Sequence, residues 1–283
     1  MTHAPHSHNH HTHDPHTHGQ ADLLDMDAEV LADHLATITA WLPVNREVRH
    51  VVDLGSGTGA GTFALLAQFP KVEVTAVDAS EPHLTRLRAK SDSQGLTNRV
   101  HTIHTDLDTD WPTLGSPDLI WASGYLHHAA TPDQTLRKIH NLLPPGGLFA
   151  LVEMAGFPRF LPPDAPEDRP GLEERCHAAR AHLDATHVPH RGADWSPMLK
   201  AAGFTVEDKR VIPLTITAKD NPAVGRYALA GLKRLSSNVT ETLDPADQKS
   251  LARLLNTKSP SSLLNRPDLA LRTERTIWAA RRP

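Results

Sequence analysis

The stretch VVDLGSGTGAGT, residues 51–62, constrains the fold more than any other feature of the chain. An apolar, β-branched run ends in an acid and then breaks into alternating glycines, which is typical of a strand that turns into a helix. Gly55, Gly57 and Gly59 carry no Cβ, so backbone N–H groups of the turn can approach a bound ligand closely. The stretch therefore predicts a strand–turn–helix unit that binds a nucleotide-like ligand.

Strands and helices alternate on both sides of this turn. The predicted strands are short, mostly apolar and β-branched: RHVVDL, VEVTAVD, RVHTIHTD, PDLIWAS and LFALVEM. Helical segments such as GTFALLAQF, EPHLTRLRAK and TPDQTLRKIHNLL separate most of them. Such alternation is typical of a parallel sheet covered by helices on both faces. We therefore predict an α/β fold with a doubly wound, Rossmann-like sheet, to which later segments add an N-terminal helix and helical insertions.

A length of 283 residues with 39% hydrophobic content suits one large domain. We predict that this domain spans residues 20–283 and follows a His-rich, disordered tail at residues 1–19. Within the domain we expect an N-terminal helix at 20–44, a cofactor-binding core at 45–154, a substrate or lid segment at 155–195, and C-terminal strands at 196–283 with a helical insertion at 222–268.

The tail holds eight of the 20 histidines. Neutral imidazole binds zinc, nickel or copper, so this tract can chelate metal. Nonspecific metal binding by a disordered segment is the simpler interpretation, and no functional metal site is predicted. The histidines most suited to such binding are His8, His10, His11 and His13.

Composition also restricts the partners. The net charge is −4, and the basic residues are scattered, so nothing indicates a nucleic-acid-binding surface. Cys176 is the single cysteine, which excludes an internal disulfide and suits a reducing compartment. No apolar run is long enough to span a membrane, and we expect a cytoplasmic location.

Three acids follow three successive predicted strands: Asp53, Asp78 and Asp106. Open parallel sheets bind ligands at the carboxyl ends of their strands, where an acid at Asp78 can accept both ribose hydroxyls. A carboxylate at Asp53 would repel a pyrophosphate but would suit a ligand with a cationic amine. A dinucleotide cofactor also fits the glycine pattern, although it leaves Asp53 and Asp106 unexplained.

Over residues 45–216 the sequence resembles the class I S-adenosylmethionine-dependent methyltransferases. The segment DLGSGTG resembles the family motif that cradles the methionine portion, and VEVTAVD resembles the second strand, whose acid binds the ribose. HTDLD resembles the adenine-binding segment, and ASGYLHH the fourth-strand segment with a histidine near the sulfonium. The resemblance implies S-adenosylmethionine as cofactor and these cofactor-binding residues: Asp53, Gly55, Ser56, Gly57, Gly59, Asp78, Ala79, Asp106, Leu107 and Ser123.

Candidate catalytic residues lie near the ends of the fourth and fifth strands. A histidine suits general-base work near neutral pH, so Tyr125, His127 and His128 are the candidates, with Glu153 nearby. His127 is equally well interpreted as a residue that packs against or orients the cofactor. His128 is the better candidate for facing the acceptor.

The segment from Gly156 to Trp195 is expected to build the substrate pocket. Arg159 is a candidate contact for an acidic substrate or an exposed residue, and Trp195 is expected to pack against the sheet. A metal site formed by Glu173, His177, His187 and His190 is an alternative, but the loose spacing favours solvated residues or substrate contacts. The candidate pocket residues are Arg159, Glu173, His177, His190 and Trp195.

We therefore expect a methyltransferase that acts on a small molecule. The fourth strand is followed by SGYL, whereas nucleic-acid base methyltransferases often carry an Asn/Asp-Pro-Pro-Tyr-like tetrapeptide there. Three alternatives stay open: an NAD-dependent oxidoreductase, a metal-binding or non-catalytic protein that acts through its His-rich tail, and a methyltransferase fold with another activity. The acceptor atom and the oligomeric state stay open as well.

Overall fold

The computed structural model describes residues 15–283, with the side chains of residues 19–184 and 188–283. The candidate metal-binding residues His8, His10, His11 and His13 lie outside the described residues, as does the side chain of His187. Within the described range, no helix has the length and apolar character needed to cross a bilayer.

Seven strands form one sheet in the order β3-β2-β1-β4-β5-β7-β6. Strand β7 runs antiparallel to both of its neighbours, β5 and β6, and the pairs among β1 to β5 are parallel. This topology confirms the predicted doubly wound α/β fold. The strands are β1 His50–Leu54, β2 Glu73–Asp78, β3 Val100–His104, β4 Leu119–Ser123, β5 Leu148–Met154, β6 Thr205–Thr217 and β7 Ala270–Arg281.

Helices cover both faces of the sheet and add a further layer at one end. Leu126–His128 forms a 3₁₀ turn directly after β4, and two other 3₁₀ turns span Thr240–Thr242 and Leu263–Asn265. The α-helices are α1 Pro15–Val30, α2 Ala32–Trp41, α3 Ala60–Gln68, α4 Glu81–Ser93, α5 Pro132–Leu142, α6 Leu172–His187, α7 Ser196–Ala201, α8 Ala223–Val239 and α9 Pro245–Leu255.

The N-terminal region differs from the prediction. The helix expected at 20–44 is two helices that break at Leu31, and α1 begins at Pro15, inside the predicted tail. The break allows two directions of packing, because Leu31 joins the core of the helical layer whereas Ile38 of α2 joins a core on the sheet. A proline at the first helical position is favoured, since its missing N–H would have no partner there.

Three hydrophobic cores account for the layers. Two of them lie on the faces of the sheet, where β1, β4 and β5 are buried throughout most of their length. The third joins α1, α6, α8 and α9 with β7. We call this third core and its helices the helical cap, and it brings the 155–195 and 222–268 segments together with the N-terminal helix.

Candidate cofactor and acceptor site

The glycine turn between β1 and α3 is a backbone cradle. Gly55, Gly57 and Gly59 have φ angles of +68°, +54° and +96°, a region that side chains disfavour. The N–H groups of Gly55 and Ser56 donate to the Val77 carbonyl on the neighbouring strand, at 2.8 and 3.0 Å. The buried Ser56 hydroxyl has no hydrogen-bond partner among the described residues. The turn therefore presents a polar group that a ligand can satisfy.

Asp78, at the end of β2, faces this turn. Its Oδ2 accepts the Gly57 N–H at 2.8 Å, and its Oδ1 accepts the Ser80 N–H at 2.8 Å. His83 Nδ1, on the first turn of α4, lies 3.2 Å from the same Oδ1. His83 is buried and was not among the predicted site residues, because an isolated histidine on a helix belongs to no motif. These contacts fix the carboxylate beside the glycine turn with lone pairs still available.

Asp53 is deeper than the sequence analysis implied. Only 2% of the residue is exposed, and its Oδ2 accepts the Thr62 hydroxyl of α3 at 2.6 Å. Burial raises the pKa of the Asp53 carboxyl to about 7, opposed by the Thr62 hydrogen bond and assisted by the charge of Asp78. Asp53 therefore couples the end of β1 to α3, with a carboxyl whose charge changes near neutral pH.

Replacement of Asp53 by asparagine tests this environment. In the unfolded chain an aspartate ionises near its ordinary pKa of about 4, whereas in the folded chain it keeps its proton up to about pH 7. The folded state therefore binds more protons in this window, so wild-type stability falls as pH rises through it. Because asparagine cannot ionise, we expect Asp53→Asn to raise the free energy of unfolding, relative to wild type, more at pH 8 than at pH 5.

Urea unfolding of both proteins at the two pH values checks this expectation. Asp33→Asn is the control, because Asp33 is exposed on α2 and is hydrated in both states. An equal difference between Asp53→Asn and wild type at both pH values would refute the raised pKa.

Asp106 and its neighbours lie past the end of β3. Asp106 is exposed, and its Oδ1 accepts the Asp108 N–H at 3.0 Å, while Leu107 is buried beside it. Ala79 is exposed after β2, and its carbonyl lies 3.0 Å from His104 Nε2. Because β3 and β2 are parallel neighbours, these residues share one edge of the sheet with Asp78. The three acids thus stand at adjacent strand ends.

Helix α1 lies across the glycine turn. A Cβ at Gly57 would approach the Leu24 side chain to 3.3 Å. Asp25 of α1 accepts from Lys90 of α4 at 2.6 Å, and Lys90 also donates to the Thr58 carbonyl in the turn at 3.1 Å. Asp27, two residues further along α1, accepts from the Tyr227 hydroxyl of the helical cap at 2.5 Å. Helix α1 therefore joins the cofactor edge to the helical cap and shields the turn from water.

The ends of β4 and β5 are held together by buried hydrogen bonds of Glu153. Glu153 Oε1 accepts the N–H groups of Leu126 and His127 at 2.9 and 3.3 Å, and its Oε2 lies 2.5 Å from His127 Nδ1. The side chains of Glu153 and His127 are 3% and 2% exposed. Since both carboxylate oxygens are occupied, Glu153 is a positioning residue for the 3₁₀ turn and for the His127 ring.

Tyr125 and His128 lie next to the Glu153–His127 pair, one just before the 3₁₀ turn and one at its end. The Tyr125 side chain covers Gly55, and burial, followed by the charges of Asp108 and Asp106, raises the pKa of its hydroxyl. The His128 ring stands 4.2 Å from the His127 ring, centroid to centroid. His128 is exposed overall, but partial loss of hydration around its ring, followed by the His127, Arg191 and Arg234 charges, lowers the pKa of the imidazole. His128 is therefore neutral at pH 7, and half-buried Ser123 ends β4 beside this group.

Exchange of glycine for alanine at position 55 tests the close contact with Tyr125. An added Cβ would lie 2.7 Å from the Tyr125 Cβ in a left-handed backbone conformation. Gly95→Ala is a matched control, because Gly95 has a φ of +67° and nothing within 4 Å of the added atom. We expect both variants to lose about 1 kcal/mol from backbone strain and Gly55→Ala to lose further stability, measured by urea unfolding. Equal losses would show that Tyr125 moves aside freely.

Three of the predicted pocket residues, His177, His190 and Arg159, lie next to other side chains of the same segment. His190 is half-buried, with its ring 5.6 Å from the Trp195 ring, and His177 is buried with Nε2 at 3.8 Å from Glu173 Oε1. Arg159 Nε donates to Glu174 at 3.0 Å and its Nη1 to the Phe157 carbonyl at 2.8 Å, so its guanidinium is already paired.

Two of the predicted pocket residues are structural. Glu173 accepts the N–H groups of Phe160 and Leu161 at 2.7 to 3.0 Å, so its carboxylate satisfies buried backbone donors. Trp195 is fully buried in the core that contains Leu199 and Trp278. Both side chains are thus held by the protein interior, and packing against the sheet was the expectation for Trp195. Among the described residues no group of three or more His, Cys, Asp or Glu is arranged to hold a metal ion.

Comparison with known proteins shows which proteins this region of the chain is similar to. Residues 52–149, which carry the glycine turn, Asp78, Asp106 and the 3₁₀ turn, match the family model of the methyltransferase domain. This part of the chain is therefore similar to methyltransferase domains. A solved structure from Bacillus halodurans, provisionally assigned as a methyltransferase, superposes on the chain with a TM-score of 0.56 at 21% identity, covering 89% of this chain and 99% of that one. This likeness shows the Rossmann-like fold shared with that protein.

Curated relatives of this region are enzymes with small or carrier-bound acids in their names. The chain is 30% identical over 190 residues to malonyl-[acyl-carrier protein] O-methyltransferase of Laribacter hongkongensis, covering 63% of this chain and 60% of that protein. It is 33% identical over 103 residues to trans-aconitate 2-methyltransferase of an Acidovorax species, covering 36% of this chain and 37% of that protein. The chain thus spans less than two thirds of the length of either relative.

Proposed function

We propose that the chain is an S-adenosylmethionine-dependent methyltransferase that acts on a small-molecule acceptor. The observation that carries the proposal is the pairing of Asp78 with the Gly57 N–H, inside the region that is similar to methyltransferase domains. Through this pairing, the carboxylate of Asp78 lies beside the glycine turn, at the carboxyl edge of a parallel sheet. A carboxylate in this position can accept hydrogen bonds from the hydroxyls of a ribose.

The residues of this edge fit the cofactor. Asp78 has lone pairs for both ribose hydroxyls, and the unpartnered Ser56 hydroxyl stands in the turn where the methionine portion is expected. Exposed Asp106 and buried Leu107 offer an acceptor and an apolar surface for the adenine. In the proposal, Asp53, Gly55, Gly59, Ala79 and Ser123 shape the same cradle. When bound, the cofactor supplies a methyl group on a positively charged sulfur.

The remaining residues orient the acceptor and exclude water. The hydrogen bonds of Glu153 to His127 and to the backbone fix the 3₁₀ turn at the end of β4, and Tyr125 covers the glycine turn at Gly55. Neutral His128 faces the acceptor side, where its low pKa makes it a hydrogen-bonding residue rather than a strong base. We therefore propose that alignment and water exclusion account for most of the rate enhancement.

A methyl-transfer assay tests the proposal. The full chain is incubated with S-adenosylmethionine and a panel of small acids, amines, phenols and thiols, and formation of the demethylated product is measured. We expect the demethylated cofactor to form with at least one acceptor class and not to form when the acceptor is omitted. Cofactor binding without turnover on any acceptor class would favour another activity on this fold, and turnover of NAD with a hydroxyl substrate would favour the oxidoreductase.

The single cysteine supports the proposed location of the enzyme in the cell. Cys176 is free and buried, and burial raises the pKa of its thiol to about 11, so the thiolate is scarce at neutral pH. A buried thiol of this kind suits the cytoplasmic location that we propose.

A further inference from the structure

Three arginines lie around the acceptor side of the site. Arg180 belongs to α6, Arg191 to the loop after α6, and Arg234 to α8 of the helical cap. A single carboxylate, Asp184, contacts two of them: Arg180 Nε at 2.8 Å and Arg191 Nη1 at 2.5 Å. Arg234 is exposed, and within the described part of the chain its guanidinium has neither an ion pair nor a hydrogen bond. The three guanidinium groups therefore outnumber the carboxylates near them, which are Asp184 and Glu153.

The loop that carries Arg191 is fixed next to the reaction side of the sheet. Gly192 has a φ of +74°, and a Cβ there would come within 2.9 Å of the Ala155 carbonyl, just beyond β5. Arg191 and Arg234 are close enough to His128 for their charges to lower its pKa. The negative charge of Glu153 acts on Arg191 in the opposite direction and raises the pKa of its guanidinium, although burial lowers that pKa overall. The arginines therefore border the space in front of His128.

The guanidinium of Arg191 is oriented so that it can bind a planar anion. Its guanidinium lies over the Phe157 ring, 4.3 Å from the centroid, which fixes the plane of the group. Its Nε–H is buried and has no partner among the described residues. A buried donor without a partner is costly unless a ligand or water satisfies it. A guanidinium that is oriented and incompletely bonded matches the bidentate geometry of a carboxylate.

We propose that Arg191 and Arg234, with Arg180 behind them, bind a carboxylate of the acceptor substrate. This assigns the substrate class of the proposed methyltransferase as carboxylic acids, so it rests on that proposed function. Arg234 supplies a free fork from the helical cap, and Arg191 supplies the unpartnered Nε–H from the loop. Asp184 holds Arg180 and Arg191 in place and keeps the two guanidinium groups from repelling each other.

Calorimetric titration of the full chain in the presence of S-adenosylhomocysteine tests the assignment. The probes are succinate, glutarate and propane-1,2,3-tricarboxylate, their uncharged amides, and inorganic phosphate. We expect binding of at least one carboxylate and none of the matching amides. Arg234→Gln is expected to weaken carboxylate binding about tenfold or more. Lys233→Gln, which removes the same charge from the adjacent position of α8, exposed like Arg234, is expected to leave it unchanged.

The same experiment separates the inference from the function on which it rests. S-adenosylhomocysteine binding without binding of any carboxylate overturns the inference alone, and failure of S-adenosylhomocysteine to bind overturns both. Equal binding of acids and amides, or an equal effect of Lys233→Gln, also overturns it, as does binding of phosphate in place of the carboxylates. With an acid that is methylated, Arg234→Gln is expected to raise KM with little change in kcat, and Arg234→Lys to restore part of the loss.

Discussion

Replacement of Glu153 by alanine is expected to lower the free energy of unfolding by about 3 kcal/mol, because it leaves several buried hydrogen-bond donors without their acceptor. His127 and the N–H groups of Leu126 and His127 would all lose their acceptor. The 3₁₀ turn that presents Tyr125 and His128 would lose its anchor at the same time. We therefore expect methyl transfer to fall together with stability, and urea unfolding to measure the loss.

Two further variants separate these effects. Glu153→Gln keeps an acceptor for the backbone N–H groups but removes the charge, so we expect an intermediate loss of stability. Glu47→Ala removes an exposed partner of Arg49 and Lys71 and is expected to leave the unfolding midpoint unchanged. A Glu153→Ala protein as stable as Glu47→Ala would contradict the anchoring role of Glu153.

Replacement of Asp78 by alanine is expected to weaken S-adenosylmethionine binding by at least about 100-fold, because two charge-assisted hydrogen bonds to the ribose would be lost. The variant also frees the Gly57 and Ser80 N–H groups and His83. Asp78→Asn keeps acceptors on one oxygen only, so we expect a smaller loss. Calorimetric titration with the cofactor measures both.

Asp92→Ala serves as the control for this pair. Asp92 is exposed near the end of α4, the helix that follows Asp78, so the substitution removes one negative charge without touching the glycine turn. We expect its cofactor affinity to equal that of wild type. Equal affinities of Asp78→Ala and wild type would exclude Asp78 from the ribose site.

Much of the sheet was predictable because its strands are buried on both faces. HVVDL, LIWAS and LFALVEM read as continuous apolar runs, and all three lie in the interior of the sheet, which is the environment that such runs require. The glycine turn was predictable for a related reason, since positive φ at Gly55, Gly57 and Gly59 is a backbone demand that few other residues meet.

The helical cap and the acceptor side were less predictable, because their roles depend on contacts distant in sequence. Glu173 resembled a substrate contact but satisfies backbone donors of residues more than ten positions away. Arg159 resembled an anion contact but is paired with Glu174, whereas Arg191 and Arg234 carried no local signal. The break at Leu31 follows from two separate cores competing for one amphipathic sequence.

Calorimetric titration of the full chain with S-adenosylmethionine, its demethylated product and NAD tests the central claim most directly. We expect micromolar binding of the first two, about −8 kcal/mol at a Kd of 1 μM, and no binding of NAD. Binding of NAD alone would contradict an S-adenosylmethionine site and would assign the glycine turn to a dinucleotide.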